Sequence, residues 1–175
     1  SLKHGESAGL IGESGSGKSS LVLSVMALLD NKKVWTDGSI YYKDTELMKL
    51  TDKEMEEYRW KKIAIVFQNS LDVFNPVLTI GEQIAECILR HMGGTKQSAV
   101  KKTDTYLELV GLGSSWAHSY PHQLSGGMRQ KALIAMALSC EPEVLLVDEP
   151  TMALDSVSKQ EIIQLLLRLR DEKNF

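Results

Sequence analysis

The chain has 175 residues, 43% of them apolar and 25% charged, and carries a formal net charge of −3. That length suffices for one domain with a sizeable core, or a domain plus a subdomain, and the slightly acidic balance lacks the basic face of a general nucleic-acid binder. No apolar run approaches the roughly 18 residues that span a bilayer and no signal peptide is expected, so any membrane role comes through a partner.

"AGLIGESGSGKSSLVLSVMALL", residues 8–29, reads as an apolar strand, a Gly-rich turn and an apolar-faced helix. Gly12-x4-Gly17-Lys18-Ser19 fits the pattern G-x-x-x-x-G-K-[ST]. Gly12, Gly15 and Gly17, with Glu13, Ser14 and Ser16 between them, let successive backbone amides turn inward around a phosphate without Cβ clashes. Lys18 reaches the β- and γ-phosphates as a point charge, Ser19 is placed to ligate Mg²⁺, and Ser20 completes the cradle. Next, "VWTDGSIYYKD" reads as two strands around Asp37-Gly38. Thr51-x-x-Glu54 opens a helix that runs to about Trp60. Ile63 to Phe67 is a buried strand ending at Gln68, whose neutral amide can touch Mg²⁺ or an attacking water without adding charge.

Thr79-x-x-Glu82 opens a helix that stops at Gly93-Gly94. Another spans Ser98 to Val110, with Val100, Leu107 and Val110 on one face and Gly111 past its end. Cys87 and Cys140 match no metal spacing and read as two reduced core thiols. In "HQLSGGMRQKALIAMALS", Ser125-Gly126-Gly127 leaves the start of a strong helix bare, and free amides at a helix start attract anions. Arg129 and Lys131 add positive charge there or are simply solvated. Val144 to Val147 reads as a central parallel strand that delivers Asp148 and Glu149 at its C-terminal end, where open α/β sheets place their ligands. Asp148 suits a Mg²⁺ shell, directly or through water, and Glu149 can polarise a water for attack on a γ-phosphate. The last helix runs from Val157 to about Lys173 with Ile162, Ile163, Leu165, Leu166 and Leu169 as its apolar face.

"GESGSGKSS", then "LSGGMRQ", then "LLVDEP", then "ALD" resembles the nucleotide-binding subunit of ATP-binding cassette (ABC) transporters across essentially the whole chain. "IVFQNSLDVFNPVLTIGEQI" and "SYPHQLSGGMRQKALIAMAL" are similar to the oligopeptide, dipeptide and nickel importer branch. The resemblance implies an α/β P-loop core over residues 1–68 and 140–175, with a small antiparallel β portion. A helical subdomain over residues 69–139 is inserted into it and ends in the signature helix. It implies two such subunits packed head to tail around Mg²⁺ and ATP. Leu124, Ser125, Gly126, Gly127, Met128 and Gln130 of the signature motif and Asp155 of the D-loop would then meet the neighbour's nucleotide. Gln68 becomes the Q-loop residue beside the base Glu149, and Asn69, Phe74, Val77 and Leu78 lie where membrane-spanning permease subunits dock. The protein is then cytoplasmic and peripheral on the membrane through those permeases. The family's adenine-stacking aromatic and switch histidine have no counterpart here, as in a cassette incomplete at both ends. A soluble ABC ATPase outside transport and a non-catalytic nucleotide-binding module are the alternatives.

Overall fold

Two parallel strands hold the architecture of the computed structural model, which describes residues 2–29, 36–67 and 73–173. The first antiparallel pair is minor: β1 (Tyr41–Tyr42) and β2 (Thr45–Glu46). The strands that matter are β3 (Ile63–Val66) and β4 (Val144–Val147), paired parallel with Ile63 opposite Val144 and Val66 opposite Val147. Side chains alternate across a strand, so each of these runs feeds two cores. Ala64, Val66, Leu145 and Val147 face a large cluster built mostly from helices. Ile63, Ile65, Val144 and Leu146 face a smaller one with Met26, Leu47 and Met55. Apolar contact on both faces is why these strands read as continuous hydrophobic runs.

Among the described residues, the crossover between β3 and β4 carries three of the six α-helices. After α1 (Lys18–Val25) and the one-turn α2 (Asp52–Met55) come α3 (Ile80–Met92), α4 (Lys96–Leu109) and α5 (Gly126–Leu138), and α6 (Ser156–Lys173) follows β4. The capping boxes of α2 and α3 are made as the sequence indicates. Thr51 accepts from the Glu54 amide and Thr79 from the Glu82 amide, and each glutamate carboxylate accepts from the cap residue's own N–H. Gly93 and Gly111 take φ of 72° and 70° just beyond α3 and α4. Gly81 is there for a different reason: a Cβ would stand 2.7 Å from the Ala117 carbonyl oxygen, so α3 lies hard against the short helix Ser114–His118. Cys87 of α3 and Cys140, both free thiols, sit with their Sγ atoms 3.8 Å apart.

Several expectations change. Residues 8–11 make no strand among the described residues, and Leu10 and Ile11 are exposed. An apolar run is not a strand without a ladder, and β3 and β4 pair with each other instead. The strand expected before Asp37-Gly38 falls on residues outside the described ones, and among the described residues a hairpin turns at Lys43-Asp44. Tyr42 packs edge-on to Tyr58 and Lys43 pairs with Glu143 at 2.7 Å, and these anchors fix the register that local turn propensity left open. The helix opened by Thr51 ends at Met55. The backbone continues as turns to Trp60 at φ 67°, and Arg59 donates to the carbonyls of Met26 and Ala27, pinning the end of α1. In α4 the buried face is Ala99, Thr103, Tyr106 and Leu107, while Val100 is exposed, one residue and about 100° around the helix from Ala99. Ile163 of α6 is likewise exposed beside buried Ile162, Leu165 and Leu169.

Candidate functional site

The loop ahead of α1 is built to present backbone. Gly15 and Gly17 take φ of 81° and 92°, a region costly to residues with a Cβ, and a Cβ on Gly12 would stand 2.7 Å from Ser16 Oγ. Gly17 is the N-cap of α1 and no side chain caps it, so the first amides of that helix face outward beside Gly12 to Ser16. Residues 12–17 and Ser20 are exposed, while Lys18 and Ser19 are half-buried. The Lys18 ammonium donates to the carbonyls of Gly12 and Glu13, both at 2.9 Å, which anchors it across the loop.

The other half of the site arrives on β4. The Asp148 amide donates to the Val66 carbonyl at 3.0 Å, extending the ladder by one bond and fixing the half-buried Asp148 at the sheet's C-terminal end. Glu149 then departs from the strand with φ 43°, and its carboxylate stands 3.6 Å from the Lys18 ammonium. Loop cation and strand-end carboxylate thus meet, although 130 residues separate them in the sequence. A serine hydroxyl and a carboxylate are the hard oxygen donors that Mg²⁺ takes together with phosphate oxygens and water, and Ser19 and Asp148 fit that role. Among the described residues no group of three or more His, Cys, Asp or Glu gathers as a self-contained metal cage.

At the start of α5 the structure corrects the sequence reading. The helix is not bare: Ser125, in extended conformation, accepts from the Met128 amide at 3.3 Å. The uncapped start belongs to α1 instead. Gly126 and Gly127 have a reason inside this chain, since a Cβ on Gly126 would lie 3.2 Å from Leu154 Cδ2 and one on Gly127 would lie 2.9 Å from Ser158 Oγ. Leu124 and Gln130 are buried within this chain. Ser125 is exposed, and Gly126 to Met128 are half-buried. Arg129 is not a free cation: it donates to the carbonyls of Pro121 and Leu124 and so shapes the loop ahead of the helix. No sequence signal marks that role. Lys131 pairs with Glu161 of α6 at 2.7 Å.

Asp155 uses both carboxylate oxygens at home. One accepts from the amides of Val157 and Ser158, and the other from Ser158 Oγ at 2.6 Å. The Ser158 hydroxyl above all holds its carboxyl below the usual range. Phe74 is buried, against the expectation of a partner anchor, whereas Val77 is exposed and Leu78 half-buried. Gln68 and Asn69 lie outside the described residues.

The family model described as "ABC transporter" matches residues 1–152. This chain belongs to the ABC transporter family. DppD of Bacillus subtilis, a dipeptide transport ATP-binding protein, is 44% identical over 173 residues, covering 97% of this chain and 51% of the relative. DppD of Escherichia coli is 40% identical, covering 100% and 54%. The chain spans about half the length of these relatives. Among solved structures, the ATP-binding cassette MJ0796, a dimer in a post-hydrolysis state bound to ADP and Pi, superposes with a TM-score of 0.83 at 34% identity. It covers 99% of this chain and 73% of that one. The fold is accordingly the α/β P-loop cassette that this family shares, with a small β portion and an inserted helical block. Among the described residues no helix is long and apolar enough to cross a membrane.

Proposed function

We propose that this chain binds and hydrolyses ATP to energise import of peptides or nickel through partner membrane subunits. The observation that carries the reading is the meeting of Lys18 and Glu149 at 3.6 Å beside an uncapped helix start. A phosphate chain laid on the amides of Gly12 to Ser20 would draw the Lys18 ammonium onto its outer oxygens. Glu149, at the rim, would polarise the water that attacks the terminal phosphorus and take up its proton. Mg²⁺ held by Ser19 and Asp148, with the Gln68 amide as a further ligand, would neutralise charge building on the phosphate oxygens.

Residues 1–68 and 140–175 form the nucleotide-holding unit and 69–139 the helical arm. A second subunit packs head to tail so that Ser125, Gly126, Gly127 and Met128 close over its partner's nucleotide, with the α5 dipole favouring the negative charge. Asp155 lies along that interface. The surface near Asn69, Val77 and Leu78 receives the permeases and places the protein at the cytoplasmic face of the membrane. The dipeptide-transport names of the relatives support the substrate class. The test is titration of Mg·ATP into the whole protein and its Lys18→Ala variant by calorimetry. Binding is expected to vanish in the variant, and unchanged affinity would contradict the phosphate-loop role.

A further inference from the structure

Gln130 of α5 is 2% exposed, and among the described residues its Nε2 donates to no acceptor. Buried amides are nearly always paired, so an orphaned one calls for a reason. Its direction follows from helix geometry. Gln130 stands four residues after Gly126 and three after Gly127, on the face those two share, and a helical side chain leans back over the turn N-terminal to its own Cα. Gly126 faces Leu154 and Gly127 faces Ser158. The Gln130 amide therefore lies in the seam between α5 and residues 149–158. The Lys131–Glu161 pair closes the same seam at 2.7 Å on the next residue.

Across that seam runs a strained strap. Glu149 and Ala153 take φ of 43° and 60°, left-handed values that cost residues bearing a Cβ. The strap is fixed at both ends, by the Asp148 amide on Val66 and by Asp155 capping α6. Residues 149–154 lie between those anchors and carry Glu149, with the Met152 amide donating to the Glu149 carbonyl at 3.1 Å.

We propose that Gln130 is a positioning residue for Glu149. Its amide donates to a carbonyl of the 149–154 strap in the arrangement that hydrolysis requires, and stands unpaired in the arrangement described here. Gln130 touches neither nucleotide nor water and acts through the carboxylate that does. The inference rests on the reading of Glu149 as the water-polarising base.

The test compares wild type, Gln130→Met, Glu149→Gln and the double variant in the whole protein assembled with its partner subunits. Methionine keeps the length and removes the amide. The kcat for Mg·ATP is expected to fall about tenfold in Gln130→Met, the worth of one hydrogen bond at 1.4 kcal/mol per decade. KM should stay within about twofold, because residues 12–19 hold the phosphates independently. The melting temperature without nucleotide should hold or rise, since an unpaired buried amide has been removed. In the Glu149→Gln background the methionine should add nothing. Unchanged kcat in Gln130→Met beside an inactive Glu149→Gln would overturn this proposal alone. A fall in melting temperature with kcat, or loss of the fold, would show a structural prop and overturn it too. Full turnover by Glu149→Gln would instead remove the base reading on which it rests.

Discussion

Gly127→Ala tests whether the glycines that open α5 are required by contacts inside this chain. The added Cβ would stand 2.9 Å from Ser158 Oγ and 3.1 Å from Ser158 Cβ. The hydroxyl cannot swing aside freely, because it donates to Asp155 at 2.6 Å, and the Cβ moves only with the backbone of α6. Overpacking of this kind costs about 1–3 kcal/mol. Alanine recovers part of that through helix propensity, about 1 kcal/mol in a helix interior and less in a first turn. The net loss should be about 1–2 kcal/mol, or a melting temperature lower by about 2–8 °C for a chain of this size. Gly126→Ala is the internal control: its Cβ meets only the end of the flexible Leu154 side chain, at 3.2 Å, and should be near neutral. Thermal denaturation followed by circular dichroism reads both. A Gly127→Ala variant that melts at or above wild type would refute the packing account and leave the glycine to a role outside this chain.

Glu143 accepts from Lys43 at 2.7 Å and Lys62 at 2.8 Å, and these two ammonium groups, Lys43 foremost, hold its carboxyl down to about 2. A depressed carboxylate contributes stability that is full above its unfolded pKa, about 4.3, and is lost as pH falls toward 2. With 36% of the side chain in solvent, screening reduces the contribution to about 1 kcal/mol, and Glu143→Gln should flatten the pH dependence of urea unfolding across that window. Thr79→Ala removes one arm of the α3 capping box and should cost about 1 kcal/mol in the same assay. A variant as stable as wild type would show that the cap is redundant with α3's tertiary packing.

What could be read from the sequence was set by local chemistry. The Gly12 to Ser19 loop must have its glycines and lysine at fixed spacing to wrap a phosphate, so its pattern is nearly independent of the rest of the chain. The strands Ile63–Val66 and Val144–Val147 announced themselves because both faces are covered. The boxes at Thr51 and Thr79 close within four residues. What stayed hidden depends on contacts between distant segments. Nothing local marks Lys43-Asp44 as a hairpin turn until Glu143 is in place. Apolar periodicity marked a face of α4 but not its rotation, so Val100 replaced Ala99. Motif position put Leu124 and Gln130 at a partner's nucleotide, while burial depends on how α5 packs on its own chain. The φ of Glu149, which turns its carboxylate toward Lys18, has no sequence signature at all.

In the proposed reaction Glu149 activates water on a nucleotide held by Lys18 and its loop. Phosphate release from Mg·ATP by the whole protein, measured for wild type and Glu149→Gln alongside equilibrium ATP binding, tests it most directly. Removing a general base costs about 10²–10⁴-fold, so turnover should fall by that factor while ATP binding is retained. Turnover at the wild-type rate in Glu149→Gln would contradict the account.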